Sequence, residues 1–294
     1  MDFDEILYET ANGVGVITLN RPNMLNALSA RAGGTRYQII AALELAEADP
    51  SVGCVVLRGA GRSFCGGGDL TGNAKRLRAI DDLHFMEAAE AFHQRIRSSS
   101  VPAIAAVHGH CLGAGVLLAT SCDLVIASQS AEFAFPEGRL GLVGASTLVP
   151  IIGRQWAKFL MLTGESVFAD QAKEIGIVFV VEPDAELFDR AHDLAKRIAR
   201  MPREGASLNR KAIHAVADAS GEAAGRLAAV GHDAVTLSIA ADAMAPDGRS
   251  FRTILETEGI AGLKTARLAQ YNEPWLRQSP AVNTVSTPSK AKKS

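Results

Sequence analysis

The sequence predicts an α/β fold of strand–strand–helix layers followed by a region made only of helices, and three observations predict it. Short apolar runs at residues 14–20, 54–58, 103–107 and 124–127 alternate with stretches of helical periodicity. Two of these runs, counted as 52–57 and 101–107, open into glycine stretches, Phe64-Cys65-Gly66-Gly67-Gly68-Asp69-Leu70 and Gly109-His110-Cys111-Leu112-Gly113-Ala114-Gly115. After Ala185 four helix-like stretches follow one another with no strand pattern between them. This order suggests a layered α/β superhelix rather than a doubly wound sheet, although no repeat at the level of the residues accompanies it.

Each element has its local reason. Residues 14–20 alternate as a strand, ended by the Arg21-Pro22-Asn23 turn. Ser29 is placed to cap a helix that continues through 38–45. Residues 54–58 form a second strand. Residues 72–82 are polar and aperiodic, which predicts a loop, and 83–96 regain helical spacing. A buried strand is expected at 103–107, a helix opening from the second glycine stretch at 116–121, and a strand at 124–127. Residues 131–135 alternate and are stopped by Pro136, and 148–162 read as a helix broken near Gly153. Helices are then predicted at 186–200, 208–217, 221–240 and 257–269. The expected organisation is a core over 1–185, a helical oligomerisation or lid region over 186–278, and a disordered Ser-, Pro-, Thr- and Lys-rich tail over 279–294.

Composition narrows the function classes. Hydrophobic residues make up 48% of the 294 and charged residues 21%, enough apolar content for a large core. A net charge of -2 gives no electrostatic case for nucleic acid. The four cysteines, Cys54, Cys65, Cys111 and Cys122, form no C-x-x-C pair, so buried, reduced thiols are expected rather than disulfides or a zinc site. The acidic start Met1-Asp2-Phe3-Asp4-Glu5 lacks the apolar core of a secretory signal, and no stretch has the apolar length of a membrane span. The expectation is a cytoplasmic protein with no membrane partner.

Glycine leaves main-chain N–H groups open to a ligand. Two such stretches could hold one developing negative oxygen between them, a chemistry that needs no side-chain nucleophile. Alone, the first stretch could be a flexible turn. The second has the G-x-G spacing of a dinucleotide loop at Gly113 and Gly115, but Leu118 stands where the third glycine belongs. Its junction with a helix still concentrates unpaired N–H groups and the positive end of a helix dipole. Glu137 is the candidate proton carrier. A surface glutamate is the ordinary alternative, but Glu137 follows an apolar run with Phe133 and Phe135, and a channel lined by those rings would raise its pKa. His108 and His110 could share a metal, yet no third ligand lies in register, which favours hydrogen-bonded roles. No metal site is expected, and Gly144-Ala145-Ser146 lacks the last glycine of a nucleophile elbow.

These pieces, in this order, resemble the crotonase, or enoyl-CoA hydratase/isomerase, superfamily. The likeness runs through Ile17-Thr18-Leu19-Asn20-Arg21-Pro22, Asn26-Ala27-Leu28, both glycine stretches, residues 133–142, Leu162-Thr163-Gly164-Glu165 and 169–178, about residues 3–270 in all. It implies a superhelix of strand–strand–helix turns with a C-terminal helical trimerisation region, giving a homotrimer or a hexamer. It implies an acyl-coenzyme A thioester as substrate, with no separate cofactor. The implied oxyanion donors are the N–H groups of Gly68 and Ala114. Ala27, Leu28, Gly66 and Leu70 would line the coenzyme A channel, with Gly113 and Leu117 also at the substrate. Hydratases of the family carry two glutamates; here the first position is Leu117 and the second is Glu137.

One carboxylate suffices to move a double bond, by taking a proton from C2 and returning it at C4, whereas hydration benefits from two. The first expectation is therefore an enoyl-CoA isomerase and the next an enoyl-CoA hydratase. A thioester hydrolase, decarboxylase or dehalogenase on the same scaffold, or an acyl-CoA-binding protein without catalysis, are the remaining readings. Glu87 and Glu90 are the alternative bases. Residues 72–92, 140–147 and the helical region are expected to supply the pocket walls. Residues 243–248 read as an extension able to reshape the pocket or the subunit contact.

Overall fold

A computed structural model of the chain describes residues 3–70, 78–142, 144–240, 243–271 and 273–276. Its centre is a six-stranded sheet in the order β1 (Ile6–Ala11), β2 (Val14–Leu19), β3 (Cys54–Gly59), β4 (Ala103–Val107), β6 (Leu124–Ser128) and β9 (Val180–Glu182). β1 is antiparallel to β2, and every later pair is parallel. A second sheet joins β5 (His110–Leu112), β7 (Glu132–Ala134) and β8 (Ser166–Phe168). β1 was not expected, although its signal is in the chain. Asn12 and Gly13, at φ +53° and +81°, make the two-residue hairpin that Asn-Gly favours.

Both faces of the large sheet are covered, which explains why its strands read as nearly continuous apolar runs. Ile17, Leu19, Val55, Leu57, Ala105 and Val107 enter the main core. Their alternating neighbours Val14, Cys54, Val56, Ile104, Ala106 and Ile126 face the other way, onto Leu187, Ala191 and Ala195 of α6 (Leu187–Ala199). The helical region thus begins by roofing the sheet. α7 (Arg203–Ala219) docks through arginine. Arg210 meets Asp123 at 2.6 Å and donates to the Ser99 carbonyl, while Arg203 reaches the carbonyls of Ala46, Glu47 and Asp49. α8 (Glu222–Ala240) pairs with α2 (Ala79–Arg97), where Arg97–Glu222 and Arg226–Glu90 bridge the helices at 2.8 and 3.2 Å.

Several expectations are refined. α1 spans Thr35–Ala48 and is preceded by Gly34, so Ser29 does not cap it. Instead, Ser29 N–H donates to the Thr35 hydroxyl and the Ser29 carbonyl accepts from Arg36 N–H. Residues 79–82 are the first turn of α2 rather than loop, with Asp81 and Asp82 favourable to its N-terminus. Residues 71–77 and 277–294 lie outside the described residues, and with them the whole predicted tail, 279–294. α3 (Ala114–Ser121) starts within the second glycine stretch. α4 (Val149–Thr163) breaks at Gly153, φ +72°, as the sequence indicated. The short α5 (Ala169–Glu174), β5, β8 and β9 were not anticipated. Among the described residues no helix is long and apolar enough to cross a membrane.

A turn at residues 22–26, closed by the buried Asn26, sets the height of the first glycine stretch. Asn26, at φ +56°, donates from its amide to the Ala60 and Ser63 carbonyls at 2.8 and 2.7 Å and accepts from Arg21 N–H. Gly66 N–H then bonds the neighbouring Leu25 carbonyl at 2.7 Å. Replacing Asn26 by Ala strands two buried carbonyls and leaves a left-handed conformation that alanine resists. Asn26→Ala is expected to cost about 2–4 kcal/mol, read from the urea unfolding midpoint; an unchanged midpoint would show that the turn holds without this side chain.

Candidate active site

The two glycine stretches meet because β-type pairing locks them together. Cys65 N–H bonds the His110 carbonyl at 3.0 Å, and Leu112 N–H returns to the Cys65 carbonyl at 2.9 Å. On its other side the first stretch pairs with Leu28, whose N–H bonds the Gly67 carbonyl and whose carbonyl accepts from Asp69 N–H. Gly68 N–H is left out of this lattice. Among the described residues neither it nor Ala114 N–H, at the first turn of α3, has an acceptor. The approach is close: a Cβ on Gly67 would stand 3.0 Å from the Leu112 carbonyl oxygen and 3.9 Å from the Ala114 nitrogen. Gly68, by contrast, has open space beside it, so glycine there is not required by contact.

Glu137 sits on a 3₁₀ turn, Pro136–Leu140, that Pro136 begins and Gly141, at φ +79°, ends. Its carboxylate packs on the second glycine stretch. A Cβ on Gly113 would lie 2.6 Å from Oε1 and 2.9 Å from Oε2, and Gly113 has φ +51°, so both space and backbone demand glycine. Gly144 closes the other side, where a Cβ would fall 3.1 Å from Oε1 and 2.8 Å from the Phe135 ring. Phe133 and Phe135 do not line the channel as expected. Both are fully buried in the core beneath, where they anchor the strand end that aims Glu137.

Burial pushes the Glu137 carboxyl up to about 7; the charge of Asp233 adds to the rise, while a backbone hydrogen bond and Arg267 oppose it. Asp233, on α8, is itself raised to about 6 by burial, and its Oδ1 is buried without a partner. Sequence reading missed Asp233 and Arg267, since each stands in an ordinary amphipathic helix and only packing turns it inward. Glu90 lines the same cavity but pairs with Arg226, and Glu87 is exposed outside it. His108 and His110 are engaged separately, with the Gly61 carbonyl at 2.9 Å and Glu132 at 2.8 Å. All four cysteines are free and buried, and burial raises the Cys65 thiol to about 12, which leaves it protonated near neutral pH.

Two adjoining cavities share Gly66, Gly68, Asp69, Leu70, Leu112, Pro136 and Arg267. The inner one, about 270 Å³, holds Leu28, Gly113, Ala114, Leu117 and Glu137, with Phe85, Met86 and Ala89 of α2 and Val230 and Asp233 of α8. The outer one, about 700 Å³, is walled by Ala27, Arg62, Arg139 and the Lys264 and Arg267 side of α9 (Phe251–Leu268). The sequence-selected residues are thus brought together: Ala27 in the outer cavity, Gly66 and Leu70 at the junction, the rest within. Residues 243–248 line neither cavity. The arrangement offers two main-chain donors and the raised carboxyl of Glu137 in a mostly apolar chamber, next to an outer cavity whose wall carries both signs of charge, Arg62, Arg139 and Lys264 with Glu132, Glu165 and Glu273.

Comparison with known proteins gives the relatives of the chain. The profile of the enoyl-CoA hydratase/isomerase family matches residues 9–234. A 1,2-epoxyphenylacetyl-CoA isomerase of Escherichia coli K12 is 36% identical over 218 residues, covering 71% of this chain and 81% of that protein. A short-chain-enoyl-CoA hydratase of Clostridium acetobutylicum is 33% identical over 219 residues, 73% and 82% of the two chains. A solved enoyl-CoA hydratase/isomerase from Xanthobacter autotrophicus Py2 superposes with a TM-score of 0.84 at 31% identity, covering 92% of this chain and all of its own.

The raised carboxyl has a consequence for stability. The folded value, about 7, lies above the ordinary 4.5, so the contribution of the carboxyl is intact below pH 4.5 and is lost as pH rises through 7. Glu137→Gln, neutral throughout, should therefore be the more stable protein at pH 8, by up to about 3 kcal/mol, with the gap closing towards pH 4.5. Denaturant unfolding of both proteins across that range measures it, and parallel profiles would contradict a buried, raised carboxyl.

Proposed function

Since the chain belongs to the enoyl-CoA hydratase/isomerase family and is an enzyme of that family acting on acyl-CoA, we propose that it is an enoyl-CoA double-bond isomerase. The observation that carries this reading is Glu137, whose carboxylate packs on Gly113 next to the acceptor-free Ala114 N–H, in a cavity where α3 contributes Leu117 and no second glutamate. The thioester oxygen accepts from Gly68 and Ala114 N–H as Glu137 removes a proton from C2. The resulting dienolate carries its negative charge on that oxygen, where fixed donors in a dry site are most effective. Glu137, now protonated, delivers the proton at C4, and the double bond moves from C3 to C2 with no atom gained or lost. A carboxyl near 7 serves both halves of this exchange at neutral pH. The outer cavity, with Arg62, Arg139 and Lys264, takes the coenzyme A portion in this reading.

Hydration is the second reading, and one observation favours it. Asp233 brings a further carboxyl into the same cavity, close enough for its charge to act on Glu137. A pair of carboxyls can hold one water for addition, which Leu117 cannot. We also propose a homotrimer or hexamer, supported by the exposed apolar side chains Leu208, Ile213 and Val216 on α7 and Leu227, Val235 and Ile239 on α8. Light scattering after gel filtration reads the mass directly, and a monomer at micromolar concentration would refute the assembly.

Incubation with 3-enoyl-CoA, 2-enoyl-CoA and saturated acyl-CoA separates the chemistries. Conversion of the 3-enoyl to the 2-enoyl thioester is expected. Hydroxyacyl product from the 2-enoyl thioester selects hydration, and free coenzyme A selects hydrolysis. Glu137→Gln should lose about 10²–10⁴ in kcat while its affinity for a saturated thioester, held by main-chain donors, stays near that of the parent. Full turnover by this variant would move the base to another residue.

A further inference from the structure

One cation in the inner cavity has no counterpart in the chemistry above. Arg36, the second residue of α1, lines this cavity and is 9% exposed. Its Nε is fully buried and has no hydrogen-bond partner. The guanidinium carbon stands 5.4 Å from the centre of the Phe85 ring and 5.9 Å from that of Phe92. These rings fix the plane of the fork but offer its N–H groups no lone pair. Among the described residues no carboxylate pairs with it. The groups whose charge acts favourably on it are the Cys65 thiol and the Tyr37 phenol, neither of them a carboxylate.

The other guanidinium groups of this wall are differently placed. Arg97 meets Glu222 at 2.8 Å, Arg226 meets Glu90, Asp218 and Glu222, and Arg267 lies in the field of Glu137. Asp233, the acid of the cavity without a guanidinium, acts on Glu137 and not on Arg36. His93, which faces the same side, is held neutral by burial and by Arg36 itself, and shares a hydrogen bond with Ser121. A buried charge without a partner is costly, and an apolar side chain would pack on Phe85 and Phe92 at least as well. The stability of the fold therefore does not account for Arg36.

We propose that Arg36 receives an anionic group on the acyl portion of the substrate, so that the enzyme prefers coenzyme A monothioesters of dicarboxylic acids. This rests on the acyl-CoA reading above and adds the class of acyl chain. The guanidinium fork suits a carboxylate in shape and charge, and the enclosed wall strengthens the pair relative to water. The location fits as well. Arg36 lines one cavity with Gly66, Gly68 and Ala114 of the donor stretches and with His93 on α2. An acyl chain whose thioester lies between Gly68 and Ala114 thus meets a cation within the chamber that also holds Glu137.

The test measures binding of saturated thioesters by calorimetry, in pairs of equal length: pentanoyl- against glutaryl-CoA, and hexanoyl- against adipoyl-CoA. The carboxylate-ended member of at least one pair should bind about 10-fold more tightly or better, as a charge-assisted pair in an enclosed site permits. In Arg36→Met that ratio should collapse to near unity, and Arg36→Lys should keep part of it. Equal or weaker binding of the carboxylate-ended chains by the parent protein overturns the proposal. So does a ratio that survives Arg36→Met, or a uniform loss for both members of each pair, which marks Arg36 as packing only. If Arg36→Met does not fold, the parent ratio and Arg36→Lys decide. Failure to bind any thioester overturns the acyl-CoA reading itself. Selective binding of dicarboxylic thioesters with no isomerisation of their 3-enoyl forms supports Arg36 and overturns the isomerase reading alone.

Discussion

Two hydrogen bonds of Cys65, to His110 and Leu112 on either side of Cys111, hold together stretches of chain that are far apart in sequence. Everything at the site follows from that junction. It sets Gly67 against Leu112, brings the free Gly68 N–H alongside the start of α3, and leaves Cys65 itself too crowded and too dry to react. Only glycine tolerates the approach. Gly115 would press a Cβ to 2.6 Å from the Cys65 carbonyl oxygen, and Gly109 would press one to 2.1 Å from that of Arg62. Main-chain donors held this way need no reorganisation when charge develops on an oxygen between them, which is what makes such a site effective.

The same crowding fixes the acid. Glu137 is packed between Gly113 and Gly144, and its elevated pKa comes first from desolvation. The surrounding charges tune rather than create that value. Arg267 on α9 pulls it down, Asp233 on α8 pushes it up, and both come from the helical region. The helices beyond the sheet are thus electrostatic parts of the site as well as cover. Arg139, which donates to the Thr163 carbonyl and Glu165 and stacks on Tyr271 at 3.8 Å, ties the last described turn of the chain to the outer cavity in the same way.

The central strands and most helices were legible because burial on both faces imposes a pattern that local reading detects. The short strands β5, β8 and β9 were not, since three residues carry too little periodicity and gain their partners only from distant segments. β1 was overlooked despite its Asn-Gly turn. The cap assigned to Ser29 failed for another reason: its N–H and carbonyl are taken up by Thr35 and Arg36, which places the true start of α1 six residues later. Phe133 and Phe135 were correctly read as apolar neighbours of Glu137, but strand alternation and the Pro136 turn send them into the core and only the carboxyl towards the cavity.

By itself the sequence determined the backbone chemistry. Glycine at 67, 109 and 113, proline at 136 and leucine at 117 dictate where amides are free, where a carboxylate can rest and that no second glutamate stands on α3. These are local properties, set by backbone sterics within a few residues. The composition of the chamber was decided only by tertiary structure. Arg36 on α1, Asp233 on α8 and Arg267 on α9 lie far apart in the chain, and each belongs to a helix whose own pattern gives no hint of a charge turned inward. Which face of a helix meets a cavity depends on what packs behind it, and that is a property of the assembled layers rather than of any one segment.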